Sequence, residues 1–160
     1  MSVWAALAGG FIGTLVFTTI MRAASELRLT RMDIPFLLGT TITTDRSRAK
    51  ALGYIAHFGF GLLFALGYYA LFVAIDHDGW LIGGLFGLLH GLFAGTALVD
   101  VLLPTVHPRM GTTLTAAGST PLLEPPGFLL RNYGRATPVV TVLAHIAYGA
   151  IVGGLTALAH

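Results

Sequence analysis

The chain has 160 residues, 55 % of them hydrophobic and only 10 % charged, with a mean hydropathy of +0.80; so few charges cannot cover a water-soluble domain, and lipid is the expected main solvent. It has no cysteine, which excludes disulfides, iron–sulfur clusters, c-type haem attachment, thiolate metal sites and cysteine nucleophiles. A net charge of +2 is too slight to argue for a nucleic-acid partner.

A helix needs about 20 consecutive apolar residues to cross a bilayer core, and four runs meet that need. The first covers residues 2–21 and is closed by Arg22. No basic residue precedes it, so it is expected to anchor with its N-terminus outside rather than to be cleaved as a signal peptide. The loop 22–50 then carries Met32-Asp33-Ile34-Pro35-Phe36-Leu37-Leu38-Gly39, an apolar stretch too short to span and expected to lie in the interface. The second run, 51–75, is separated from the third, 80–103, by Asp76-His77-Asp78-Gly79. Pro104 ends the third run. The loop 104–136 holds Pro121-Leu122-Leu123-Glu124-Pro125-Pro126-Gly127-Phe128-Leu129-Leu130, too apolar for a plain linker and expected to close the mouth of the helices or dock a partner. Pro138 opens the fourth run, 137–159, at a position where its missing N–H is not needed.

All nine basic residues fall in the two long loops: Arg22, Arg28, Arg31, Arg46, Arg48 and Lys50 in the first, and Arg109, Arg131 and Arg135 in the second. By the positive-inside rule both loops are cytoplasmic and both termini outside, with Trp4 and Trp80 at the outer interface. The expectation is an all-α membrane protein, a four-transmembrane-helix bundle forming one domain over 1–160, with interfacial segments in its cytoplasmic loops.

The two halves share short patterns. Gly9-Gly10-Phe11-Ile12-Gly13 echoes Gly83-Gly84-Leu85-Phe86-Gly87, and Ala56-His57-Phe58-Gly59-Phe60-Gly61 echoes Ala144-His145-Ile146-Ala147-Tyr148-Gly149. Two tandem helical hairpins related by an axis along the membrane normal would give this pattern, as would shared packing chemistry alone. Small residues recur four apart: Gly83, Gly87, Gly91 and Gly95 on the third helix, Gly53, His57, Gly61 and Ala65 on the second, and Thr141, His145, Gly149 and Gly153 on the fourth. Residues four apart share a helix face, and a small-residue face lets backbones approach closely. His57 and His145 therefore belong to packing faces and should point inward.

Ionisable groups inside a membrane are costly and mark sites or paired contacts. His57 and His145 each lie about seven residues, roughly 10 Å, from the cytoplasmic start of their helices and should share a level. His90 is nearer the middle of the third helix. These three are the candidate ligands for a b-type haem or a divalent metal, since imidazole serves both. The alternative is that each ring hydrogen-bonds a threonine or a carbonyl across a helix contact. A proton path through His90 and Asp100 is a further reading. Among the loop acids, Asp33 and Glu124 would either approach the histidines or pair with loop arginines.

Taken together, Met32-Asp33-Ile34-Pro35, Leu38-Gly39, His57-Phe58-x-x-Gly61, His90, His107-Pro108, Glu124-Pro125-Pro126-Gly127-Phe128 and His145-x-x-Tyr148-Gly149 resemble a family of small bacterial inner-membrane proteins classed only as a domain of unknown function. The likeness covers most of the chain. It implies a four-helix protein of a bacterial inner membrane, and it carries no activity, cofactor or catalytic residue.

No phosphate loop, dinucleotide fingerprint, serine elbow or zinc-protease helix is present, so the sequence does not read as a familiar enzyme. Three functions remain. The first is an accessory or structural subunit packing through its glycine-rich faces in a homo-oligomer or larger membrane complex. The second is a haem- or metal-binding protein using His57, His145 and His90, and the third is a small transport or channel subunit. If helices of the same chain fill the Gly83, Gly87, Gly91 and Gly95 face, the first loses its main support.

Overall fold

In a computed structural model, residues 1–110 and 123–159 are described, apart from the side chain of Asp100. Pro121, Leu122, His160 and the Asp100 carboxylate lie outside the described residues. The described chain is helical, with no strand, and four of its helices are long and apolar enough to cross a membrane.

α1 (Val3–Glu26) starts at Ser2, whose hydroxyl accepts from the Ala5 amide. Its buried residues, Ala6, Gly9, Gly10, Gly13, Thr14, Phe17 and Met21, recur every three or four positions and form one stripe. α1 runs five residues past the apolar stretch and ends where Arg28 turns left-handed (φ 60°). The short α2 (Ile34–Gly39) is capped by Asp33, which accepts from the Phe36 amide at 3.0 Å. α3 (Arg46–Ile75) begins five residues before its apolar run because Asp45 caps it, accepting from the Arg48 amide at 2.7 Å. A cap of this kind satisfies one of the orphan amides at a helix start.

The third apolar run is not one regular α-helix. α4 (Trp80–Phe93) passes into a π-helical run over Ala94–Leu102 and ends in a single turn, α5 (Leu103–Val106). A 3-10 turn covers Phe128–Tyr133, and α6 (Thr137–Ala157) has Pro138 in its first turn.

Glycine seams decide which helices touch. Cβ atoms added at Gly83 or Gly87 of α4 would collide with the carbonyls of Gly149 and His145 on α6. On α1, a Cβ at Gly9 would lie 2.8 Å from Cα of Val152, and one at Gly13 2.9 Å from the Tyr148 ring, again on α6. α1 meets α3 instead through Gly10, which faces Ala65. α6 is thus held between α1 and α4, whereas α3 packs on α1 and α2. α3 and α4, though joined by the short turn after Ile75, meet through side chains: Phe72 stacks on Phe86 at 5.5 Å, and Phe64 lies 4.2 Å from His90. Two hairpins related by a two-fold axis would turn the α1 seam towards α3. It turns towards α6, so the echoing glycines do not take equivalent partners.

The two long loops are tied to each other. Thr30 and Thr137 share a hydrogen bond at 2.8 Å, and the Arg31 amide donates to the Tyr133 carbonyl at 2.7 Å. Buried His107 donates from Nε2 to the Leu37 carbonyl at 3.1 Å and accepts the Arg109 amide at Nδ1, which clips the end of the third helix to α2. Asp33 pairs with Lys50 at 3.5 Å and Glu124 with Arg31 at 3.3 Å, so both loop acids sit with basic partners. Burial, reinforced by neighbouring Glu124 and opposed by Arg31, pushes the Tyr133 phenol up to about 12. Its neutral O–H donates to the Glu124 carbonyl at 2.6 Å.

Candidate functional site

His57 on α3, His90 on α4 and His145 on α6 line one cavity of about 370 Å³. Its other walls are mostly apolar, with Phe60 and Phe64 of α3, Leu98 and Leu102 of the π-helical run, Leu37 of α2 and Leu130. Phe60, Leu102 and Val106 line it and are exposed, so the cavity reaches the molecular surface along the gap between α3 and the third helix. Its existence follows from the packing above. Glycines let α4 and α6 close up, but at the α3–α4 contact only aromatic side chains bridge the gap.

Phe17 of α1 touches two of the histidine rings, and the third packs on one of these two. Phe17 lies 5.5 Å from His57 and 4.8 Å from His145, ring centre to ring centre, and His90 packs edge-to-face on His145 at 4.6 Å. Among the described residues, no group of three His, Cys, Asp or Glu side chains is placed to hold a metal ion.

Hydrogen bonds assign the tautomers of His57 and His145. Thr18 donates its hydroxyl proton to the Thr14 carbonyl at 2.6 Å, so its oxygen accepts from His57 Nε2–H at 3.1 Å. That leaves His57 Nδ1 with a lone pair. His145 Nδ1–H donates to the Thr141 carbonyl at 2.8 Å, leaving Nε2 as an acceptor. The Tyr68 hydroxyl and His90 Nδ1 share a hydrogen bond at 3.3 Å, which engages Nδ1 and leaves Nε2 facing open space. These three ring nitrogens have no protein partner among the described residues. No fully buried side-chain nitrogen or oxygen there lacks a partner, so the three open onto space, and the space common to their rings is the cavity.

Chemically the site is a largely apolar chamber to which three imidazoles bring hydrogen-bonding nitrogens. It holds no described acid. Tyr148, which donates to the Gly61 carbonyl at 2.5 Å, closes the wall and ties α6 to α3.

Several contributors were not singled out from sequence as site residues. Phe17, Phe64, Tyr68 and Leu130 occur in apolar runs like many others, and nothing local marks them. Leu129 and Leu130 are both left-handed (φ 54° and 61°), a conformation that costs a leucine about 1–2 kcal/mol. This turn places Leu130 in the cavity wall, 2 % exposed, and Leu129 against Gly95. Strain held in place by surrounding structure tends to gather at functional sites. The Gly83, Gly87, Gly91 and Gly95 face is filled from within the chain, by α6 and Leu129. Compared with protein-family models, with curated proteins and with solved structures, the chain matches none.

Proposed function

We propose that the chain is a small multi-pass protein of a bacterial inner membrane, with both termini outside, that binds a lipid-like molecule in the cavity between α3 and the third helix. Four long apolar helices support membrane insertion, and the grouping of all nine basic residues in two loops supports the orientation. The exposed rings of Trp4 and Trp80 suit the outer interface. The observation that carries the binding reading is the surface-reaching chamber of about 370 Å³, with three imidazoles among its otherwise largely apolar lining. Apolar pockets with a few convergent polar groups are the usual form of a small-molecule site.

Mass spectrometry of lipid extracted from protein purified in mild detergent tests this. The wild-type protein is expected to keep about one lipid per chain through a delipidating wash. Ala94→Phe and Leu98→Trp, which place rings in the chamber, are expected to lose it while remaining folded. Equal lipid in wild type and both variants, or none in any, would overturn the reading.

An accessory role in an oligomer or a larger membrane complex is a second reading. Its earlier support, the α4 glycine face, is taken up by α6. What favours it now is the outer face of α3, where Gly59 and Gly67 meet nothing within 4 Å. The geometry lends haem, metal and channel readings no comparable support.

A further inference from the structure

A second, smaller cavity of about 190 Å³ abuts the first on the side of the basic loops. The two share four wall residues: Phe17, Met32, Ile34 and His57. Their chemistry is opposite. The smaller one is lined by Arg22 and Glu26 from the end of α1, Asp33 from the start of α2 and Lys50 from the start of α3, with the hydroxyls of Ser25 and Tyr54.

The four charges are two cations and two carboxylates. They form two loose pairs, Arg22–Glu26 at 3.2 Å and Lys50–Asp33 at 3.5 Å. Their side chains are 42–70 % exposed, and pairs this exposed exchange readily for other partners. A purely anionic ligand would bring its charge against Glu26 and Asp33. A purely cationic one would meet Arg22 and Lys50. A head carrying both signs satisfies all four: its phosphate takes charge-assisted bonds from the guanidinium and the ammonium, and its own primary ammonium donates to the freed carboxylates.

Resting on the binding reading above, we infer that the two cavities form one amphipathic site for a phospholipid whose head bears a phosphate and a primary ammonium, a phosphoethanolamine. The head occupies the charged cavity and part of an acyl chain the apolar one. At roughly 30 Å³ per water-sized group, the apolar cavity admits about a dozen methylenes. His57 and Phe17 stand at the junction, where chain and head meet. A quaternary ammonium head has no N–H to give to Glu26 and Asp33, and a glycerol head has no positive charge for them. The site therefore discriminates by head chemistry, not by chain.

The test is lipid competition on the purified full chain, with phosphatidylethanolamine, phosphatidylcholine and phosphatidylglycerol of identical acyl chains, read by native mass spectrometry. Wild type is expected to retain the ethanolamine lipid at least about fivefold over either rival. The variant E26Q/D33N, which keeps the α2 cap through the asparagine oxygen, is expected to lose that preference and to favour the glycerol lipid. R22Q/K50Q is expected to weaken retention of all three, and unfolding temperatures show that both variants fold. Equal retention of the three lipids by wild type, with the Ala94→Phe loss intact, would overturn the head assignment and leave the chamber reading standing. No retained lipid at all would overturn both.

Discussion

α3 and α6 carry the same short pattern, an alanine-histidine pair followed four positions after the histidine by glycine, yet their histidines end in different environments. His145 is 8 % exposed and its ring packs on Phe17 of α1 and His90 of α4. His57 is only half-buried and borders both cavities. α6 is the most buried of the four long helices and α3 the least. The difference comes from the neighbours. Two glycine seams, Gly9 with Gly13 on α1 and Gly83 with Gly87 on α4, both close on α6. α3 has close backbone contact only with α1 and α2, so its other side is free to form a chamber. Small residues that let backbones approach closely decide which helices pair.

The strongest way to break this comparison is to add a methyl group on each side of it. Gly83→Ala and Gly87→Ala drive Cβ into α6 carbonyls and are expected to cost about 1–3 kcal/mol or more, the range for overpacking against a rigid partner. Gly59→Ala and Gly67→Ala on the open face of α3 should leave stability within about 0.5 kcal/mol or raise it slightly. Thermal unfolding of all four in one detergent decides; similar losses throughout would mean that the seams do not set the packing.

A smaller effect is expected at the one side-chain bond joining the two helices. Tyr148→Phe removes the O–H donated to the Gly61 carbonyl and should cost about 1 kcal/mol. Tyr68→Phe, which gives up only the longer 3.3 Å bond to His90, should cost less. A reversed order in unfolding experiments would show that the α3–α6 link is not where the structure places it.

The smallest effect sharpens the contrast between the histidines. A double-mutant cycle of His57→Phe with Thr18→Val should give a coupling near 0.6 kcal/mol and not above about 1.7, the range for hydrogen bonds between membrane helices. His145 bonds within its own helix. A cycle pairing its replacement with Thr18→Val should therefore give no coupling beyond error.

Much of this was legible in residue order, and the reasons are local. The four long helices follow from apolar run length, whereas the Asp45 cap that starts α3 five residues before its apolar run was not read from residue order. The rows of small residues correctly marked buried faces: Gly53, Gly61 and Ala65 on α3, and Gly83, Gly87 and Gly91 on α4, all face other parts of the chain. The pairing of Asp33 and Glu124 with basic residues was among the alternatives open from composition.

Which seam meets which helix was not legible. A glycine row states that something approaches closely, without naming it, and Gly9 and Gly13 of α1 meet α6. The π-helical run, the left-handed Leu129 and Leu130, the burial of His107 and the gathering of three imidazoles at one cavity all depend on contacts between residues tens of positions apart. Sequence by itself determined how many long apolar helices there are and which of their faces are narrow, because length and periodicity act within a few turns. Only the tertiary structure decided that one side of α3 stays open. A cavity is made by what fails to meet across space, and no local pattern encodes that.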